Sequence, residues 1–257
     1  HDLVTRMPYT GDMITIGGNV MYGYYGYPMF YDPTYVLVLL GIILSMLASA
    51  HVNRTFQKYA KVGSRAGITG ADAARLILNR NGITNVRVQG IAGNLTDNYV
   101  PSKKVLNLSE STINSRSIAA IGVAAHECGH AIQDKEAYVP LVLTRTITPA
   151  CAFASKISIP LVFFGILISW SPLIRIGIIA FMVAISIQLL TLPVEFDASR
   201  RAVKTLRENQ VLTEEELNGV KAVLTAAALT YVAAATASLL QLLRLLILTR
   251  GSRRNND

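Results

Sequence analysis

Cysteine, histidine and charge are all scarce in this chain. Cys128 and Cys151 are the only cysteines in 257 residues, so no disulfide framework can be read from the sequence. The histidines stand at positions 1, 51, 126 and 130, too few for a catalytic zinc site built from imidazoles alone once placement is considered. Charged residues make up 16% of the chain against 51% hydrophobic, and the mean hydropathy is +0.39, high for a soluble domain. No internal repeat or low-complexity tract is visible. Residues 1–20 match neither a signal peptide nor the rest of the chain; they read as an appended segment, with Met21 as a start, and are set aside together with His1.

What is present is apolar and long. About 20 residues cross a bilayer core, and the stretches 35–50, 149–170 and 176–192 qualify. The first follows a Tyr-rich leader (Tyr22, Tyr24, Tyr25, Tyr27, Tyr31) suited to an interfacial belt. Trp170-Ser171-Pro172 reads as the turn of a transmembrane hairpin between the second and third. A further stretch, 222–248, is rich in Ala and Thr and carries Tyr231, Gln241 and Arg244; it suits either a span or a buried or interfacial helix.

The net charge of +8 is not a nucleic-acid signature. Arg54, Lys58, Lys61 and Arg65 follow the first span, and Arg200, Arg201, Lys204 and Arg207 follow the third, which is the positive-inside pattern. This orientation places residues 51–147 and 193–257 in the cytoplasm and the 170–175 turn outside. Arg250, Arg253 and Arg254 then argue against a fourth crossing.

The motif His126-Glu127-Cys128-Gly129-His130 lies inside a helical pattern over 117–134, with Ser117 as its cap. At 100° per residue, His126 and His130 sit about 40° apart on one face. Two imidazoles on adjacent turns can hold one Zn²⁺, with Glu127 beside them as base for a water. Cys128 faces the opposite side and reads as core packing.

A catalytic zinc needs a third protein ligand. Gln133 and Glu136 stand where the extended HExxHxxGxxH signature requires Gly and His, and Asp134 is badly placed. His51, at the inner end of the first span, reads as interfacial. Glu195 is the better ligand: it follows Pro193 directly after the third span, and a carboxylate so close to an apolar segment needs a partner. Its rival role is pairing with a nearby arginine.

VAAHECGHAIQ, then a membrane hairpin, then LPVEFDAS, resembles the YugP-like neutral zinc metallopeptidases of bacterial membranes, over about Tyr35–Leu248. Those proteins are similar to the larger gluzincin group that includes the prenyl-protein proteases and the bacterial heat-shock membrane protease. In that group the third ligand is the Glu of a Glu-Tyr/Phe-x-Ala-Asp helix, which the resemblance carries onto Glu195, followed by Phe196. The group's Asp four residues on is Ser199 here, so the partners behind the histidines stay unassigned; Ser199 shares the face of Glu195 and Asp197 points away. The resemblance also implies that a strand before the HExxH helix offers its edge to an extended substrate. Val105-Leu106-Asn107-Leu108 suits that role, or else a sheet that only supports the helix.

The expected protein is therefore mainly α with a small β region: an integral membrane zincin-like metalloprotease with three transmembrane helices and a cytoplasmic HExxH catalytic core. Its segments are an appended 1–20, leader and first span 21–50, catalytic region 51–147, transmembrane hairpin 148–192, and third-ligand helix with C-terminal helical region 193–257. His126, His130 and Glu195 bind Zn²⁺, Glu127 is catalytic, and Tyr231, Tyr138 or Arg201 stabilises an oxyanion. The expected setting is a bacterial plasma membrane, and the expected partners are the lipid bilayer and a peptide or protein substrate, membrane proteins included, with no nucleic acid. The alternative is a membrane scaffold with a structural or vestigial zinc site, which would have no need of Glu127. A transporter fits less well, because its ligands should lie at span midpoints.

Overall fold

The computed structural model describes residues 15–16, 19–20 and 32–253. The Tyr-rich leader and most of segment 1–20 lie outside the described residues, apart from the short antiparallel pair β1 (Thr15–Ile16) and β2 (Asn19–Val20). The rest is mainly helical, with one small sheet and long apolar helices. The order is α1 (Tyr35–Ala60), α2 (Gly70–Arg80), β3 (Arg87–Ile91), β4 (Asn98–Val100), β5 (Val105–Ser109), α3 (Glu110–Ile113), α4 (Ile118–Lys135), α5 (Val139–Leu167), α6 (Ser171–Glu208) and α7 (Glu214–Arg253).

The polar half of the fold is built on α2 and α4. Thr69 and Asp72 form a reciprocal capping box at the start of α2, and Asn81 with Gly82, at φ +62°, ends it. The buried face of α2 (Ala73, Ala74, Ile77) meets Ile121, Ala125 and Cys128 of α4 and Leu106 and Leu108 of β5 in one core. The sheet order is β3-β5-β4, with β3 parallel and β4 antiparallel to β5. Of the two roles open for residues 105–108, substrate edge or supporting sheet, the edge is excluded: β5 is the central strand, bonded on both sides, because its side chains are the ones the core buries. Among the described residues, the outer strands are β3 and β4.

Four helices, α1, α5, α6 and α7, are long and apolar enough to cross a membrane. The expected hairpin is α5–α6, turning at Ile168–Trp170. There Gly177 lets α6 lie against α5: a Cβ on it would sit 2.8 Å from the Val162 nitrogen. Two expectations need correcting. Pro193 does not start a helix, since α6 runs unbroken from Ser171 to Glu208 with Pro193 inside it. Among the described residues the candidate spans number four, not three. α7 lies antiparallel along the whole of α1, with Gly219 beside Tyr59, Ala237 beside Gly41, and Arg244 bonded to Asp32 at 3.0 Å. Arg244, the single charged residue between Lys221 and Arg250, is neutralised there and stacks over Tyr35, 4.1 Å from its ring centre. A count of terminal arginines does not register that packing.

Candidate metal centre

Helix α4 is fixed before it carries any chemistry. Ser117 caps it, its hydroxyl accepting from the Ala120 amide, and Ala119, Ala120, Ala124 and Ala125 are fully buried. The remaining face presents His126 and His130, with ring centres 4.8 Å apart and planes at 85°. Cys128 points the other way, its thiol toward the Ala74 carbonyl of α2.

Helix α6 brings the carboxylate. Ala198 packs so tightly on Gly129 that a Cβ there would lie 2.5 Å from the Ala198 carbonyl oxygen. One turn earlier, Glu195 Oε2 lies 3.2 Å from His126 Nε2 and 3.7 Å from His130 Nε2. One ligating atom from each residue falls within 4.8 Å of the others.

The far ring nitrogens are held from behind. Gln133 is fully buried. Its amide nitrogen donates to the Val194 carbonyl at 2.8 Å and to Asp197 at 2.9 Å, so its oxygen, 3.0 Å from His130 Nδ1, is the acceptor. His130 Nδ1 therefore carries the proton, and Nε2 keeps its lone pair for a metal. His126 Nδ1 lies 3.1 Å from the Ser199 hydroxyl. Asp197 does point away from Glu195, and it is buried behind the site, where Gln133, Arg200 and Arg201 satisfy it. Sequence reasoning missed Gln133 as an anchor because it was judged only against a missing glycine. Its spacing, three residues past His130 on the same face, was the available signal.

The donor set fits zinc: two imidazoles, that of His130 with its tautomer fixed, and one carboxylate. Beside it is a cavity of about 250 Å³, lined by His126, Glu127 and Glu195 with Asp97, Phe56 and Tyr231. Glu127 is buried, and burial raises its pKa; the charges of Glu195 and Asp97 add to the rise, while His126 and His130 oppose it. Asp97 is pinned by the Ser109 amide and hydroxyl, both at 2.8 Å. Of the three oxyanion donors considered, Tyr231 lines the cavity. Arg201 is paired with Asp197 and Glu136 and lies over the Tyr138 ring. Asp134 is bonded by Tyr99, Lys104 and Arg145. His51 is exposed on α1.

Residues 34–250 match the family model described as "Putative neutral zinc metallopeptidase". The chain is 46% identical over 221 residues to "Putative membrane protease YugP" of Bacillus subtilis (strain 168), an alignment covering 86% of this chain and 98% of that protein. No solved structure matches. With four membrane-capable helices and a His-His-Glu cluster already in place, the match over nearly the whole chain gives its lineage: the protein belongs to the family described as "Putative neutral zinc metallopeptidase".

Proposed function

We propose that this protein is a multi-pass zinc endopeptidase of a bacterial plasma membrane, zincin-like in its HExxH core, with its active site at the cytoplasmic face. The observation that carries the reading is the convergence of His126, His130 and Glu195, with His126, Glu195 and the buried Glu127 lining one cavity. His126, His130 and Glu195 hold the metal. When bound, zinc supplies Lewis acidity toward a carbonyl oxygen and toward water.

The chain's own residues do the rest. Glu127, with its proton affinity raised by burial, accepts the proton of the attacking water and passes it to the departing amine. Tyr231 donates a hydrogen bond to the carbonyl oxygen as negative charge grows there. Phe56, Val123, Val223 and Leu224 wall the cavity and limit water. Asp97 precedes β4 directly and lines the cavity, so the β4 edge is the strand that an extended peptide would join. Basic residues at the site end of α1 and α6 (Arg54, Lys58, Arg200, Lys204) favour the cytoplasmic side. They lie beside apolar helices, so the partners are lipid and polypeptide and not nucleic acid. A scaffold with a structural zinc would have no use for Glu127.

The test is Glu127→Gln. The variant keeps about one zinc per chain and loses peptide hydrolysis. Wild-type protein purified without chelators and free of zinc would refute the metallopeptidase reading. A Gln variant as active as wild type would remove Glu127 from its role.

A further inference from the structure

A second, larger concavity lies wholly within the apolar part of the bundle. It is an open groove of about 850 Å³ between α1 and the α5–α6 hairpin, floored by α7. Its lining is mostly apolar, yet Ser45, Ser49 and Asn53 of α1 and Ser238 and Gln241 of α7 face it. The three α1 residues are four apart, so they form one polar row down the helix.

The groove leads to the metal cavity. Asn53 closes its lower end, and the adjoining Val52 and then Phe56 line the cavity around His126. On α7 the same descent runs from Gln241 and Ser238 to Tyr231 and Thr230. Both helices thus carry one continuous wall from the bilayer interior to the site.

We propose that this groove receives a membrane-spanning helix of a protein substrate and feeds its cytoplasmic end to the metal cavity, so that cleavage falls at the membrane boundary. The proposal rests on the proteolytic reading above. The polar side chains decide the occupant. Ser45 donates to the Gly41 carbonyl at 2.9 Å and Ser238 to Gln188 at 2.8 Å, which leaves Ser49, Asn53 and Gln241 to face an occupant. A lipid chain offers them no hydrogen-bond partner. A substrate helix that unwinds toward the site exposes amides and carbonyls, which in lipid must find partners, and serine, asparagine and glutamine side chains supply such bonds between helices.

The experiment reads binding without turnover. Glu127→Gln protein carries a photo-crosslinking benzoylphenylalanine at Met46, which is 65% exposed on α1 beside the groove, or at Phe163, 54% exposed on α5 and outside it. It is reconstituted in phosphatidylethanolamine–phosphatidylglycerol vesicles with a synthetic single-span peptide of about 20 apolar residues and a hydrophilic tail. Peptide adducts at Met46 are expected to exceed those at Phe163 about tenfold. They should fall to the Phe163 level when Ser49→Trp fills the groove, with zinc content unchanged. Equal adducts at both positions, lipid adducts alone at Met46, or no effect of Ser49→Trp would overturn the proposal. Because no cleavage is measured, failure here leaves the peptidase reading intact, and an inactive wild type would not erase a specific adduct.

Discussion

Gly129 of α4 and Ala198 of α6 touch so closely that the space for a Cβ at 129 is already occupied by the Ala198 carbonyl oxygen, at 2.5 Å. The candidate metal centre depends on that contact. Glycine between the two histidine turns lets α6 settle onto α4, and only then does Glu195 reach both Nε2 atoms.

Gly129→Ala is therefore expected to force the helices apart. Overpacking of this kind costs about 1–3 kcal/mol. Zinc content should fall further than the loss of stability explains, because Glu195 withdraws with α6. Thermal unfolding and elemental analysis of the same preparation check this; full zinc occupancy in the variant would mean that the helix contact does not set the site.

The ligand and its supports should separate by degree. Glu195→Ala is expected to abolish activity and to remove a direct metal contact. Gln133→Ala frees the His130 ring and Asp197→Ala loosens Gln133 behind it, both with all three ligands in place, at a cost of about 10–100-fold in zinc affinity for the first and less for the second. Competition with a chelator of known affinity orders the variants. If Glu195→Ala retains full zinc and activity, the ligand assignment fails. If Asp197→Ala is silent, the anchor behind His130 does not matter.

Zinc uptake should depend on pH. In the metal-free protein burial works against a charged His130, but the hydrogen bond it donates to Glu195 and the charges of Glu127 and Glu195 outweigh it and raise the pKa from 6.5 to about 9. This proton stabilises the metal-free fold fully below 6.5, and that support is lost as pH rises through about 9. Metal needs the neutral ring, so apparent affinity should rise about tenfold per pH unit up to that value and then flatten. Zinc titration with proton-release measurement tests it; an affinity independent of pH between 7 and 9 would contradict the assignment.

The four-helix arrangement makes a topological prediction. Cysteines introduced at Ser102 and Arg207 of a cysteine-free variant should resist an impermeant thiol reagent on intact cells, and one at Ser171 should react. Because α7 returns along α1 to the level of Asp32, a reporter fused after Asp257 should be on the Ser171 side. A reporter on the same side as Ser102 would show that α7 does not cross.

The HExxH face, the Ser117 cap and the α5–α6 hairpin were all legible, because each is written in local periodicity or in a short cap signal. The path of α7 was not. Its charges pointed one way, and the Ala-rich seam with α1 and the Asp32–Arg244 pair, which decide its position, are contacts between distant segments. The strand order of the sheet was hidden for the same reason: alternation marks β5 as a strand but not as the central one. At the site, Gln133 and Ser199 lay in plain view in the sequence, and only the crossing of α4 and α6 reveals which ring nitrogen each one serves.

Helix α6 extends without interruption from the far turn at Ser171 through Pro193 to Glu208, and Glu195 is part of that single rod. A rod of this kind acts as a lever. A small change in its tilt, such as a thicker or thinner bilayer imposes, displaces the carboxylate relative to two histidines that are anchored in the polar core on α4. For the proposed membrane protease, lipid composition would thus become a variable of the candidate metal centre itself.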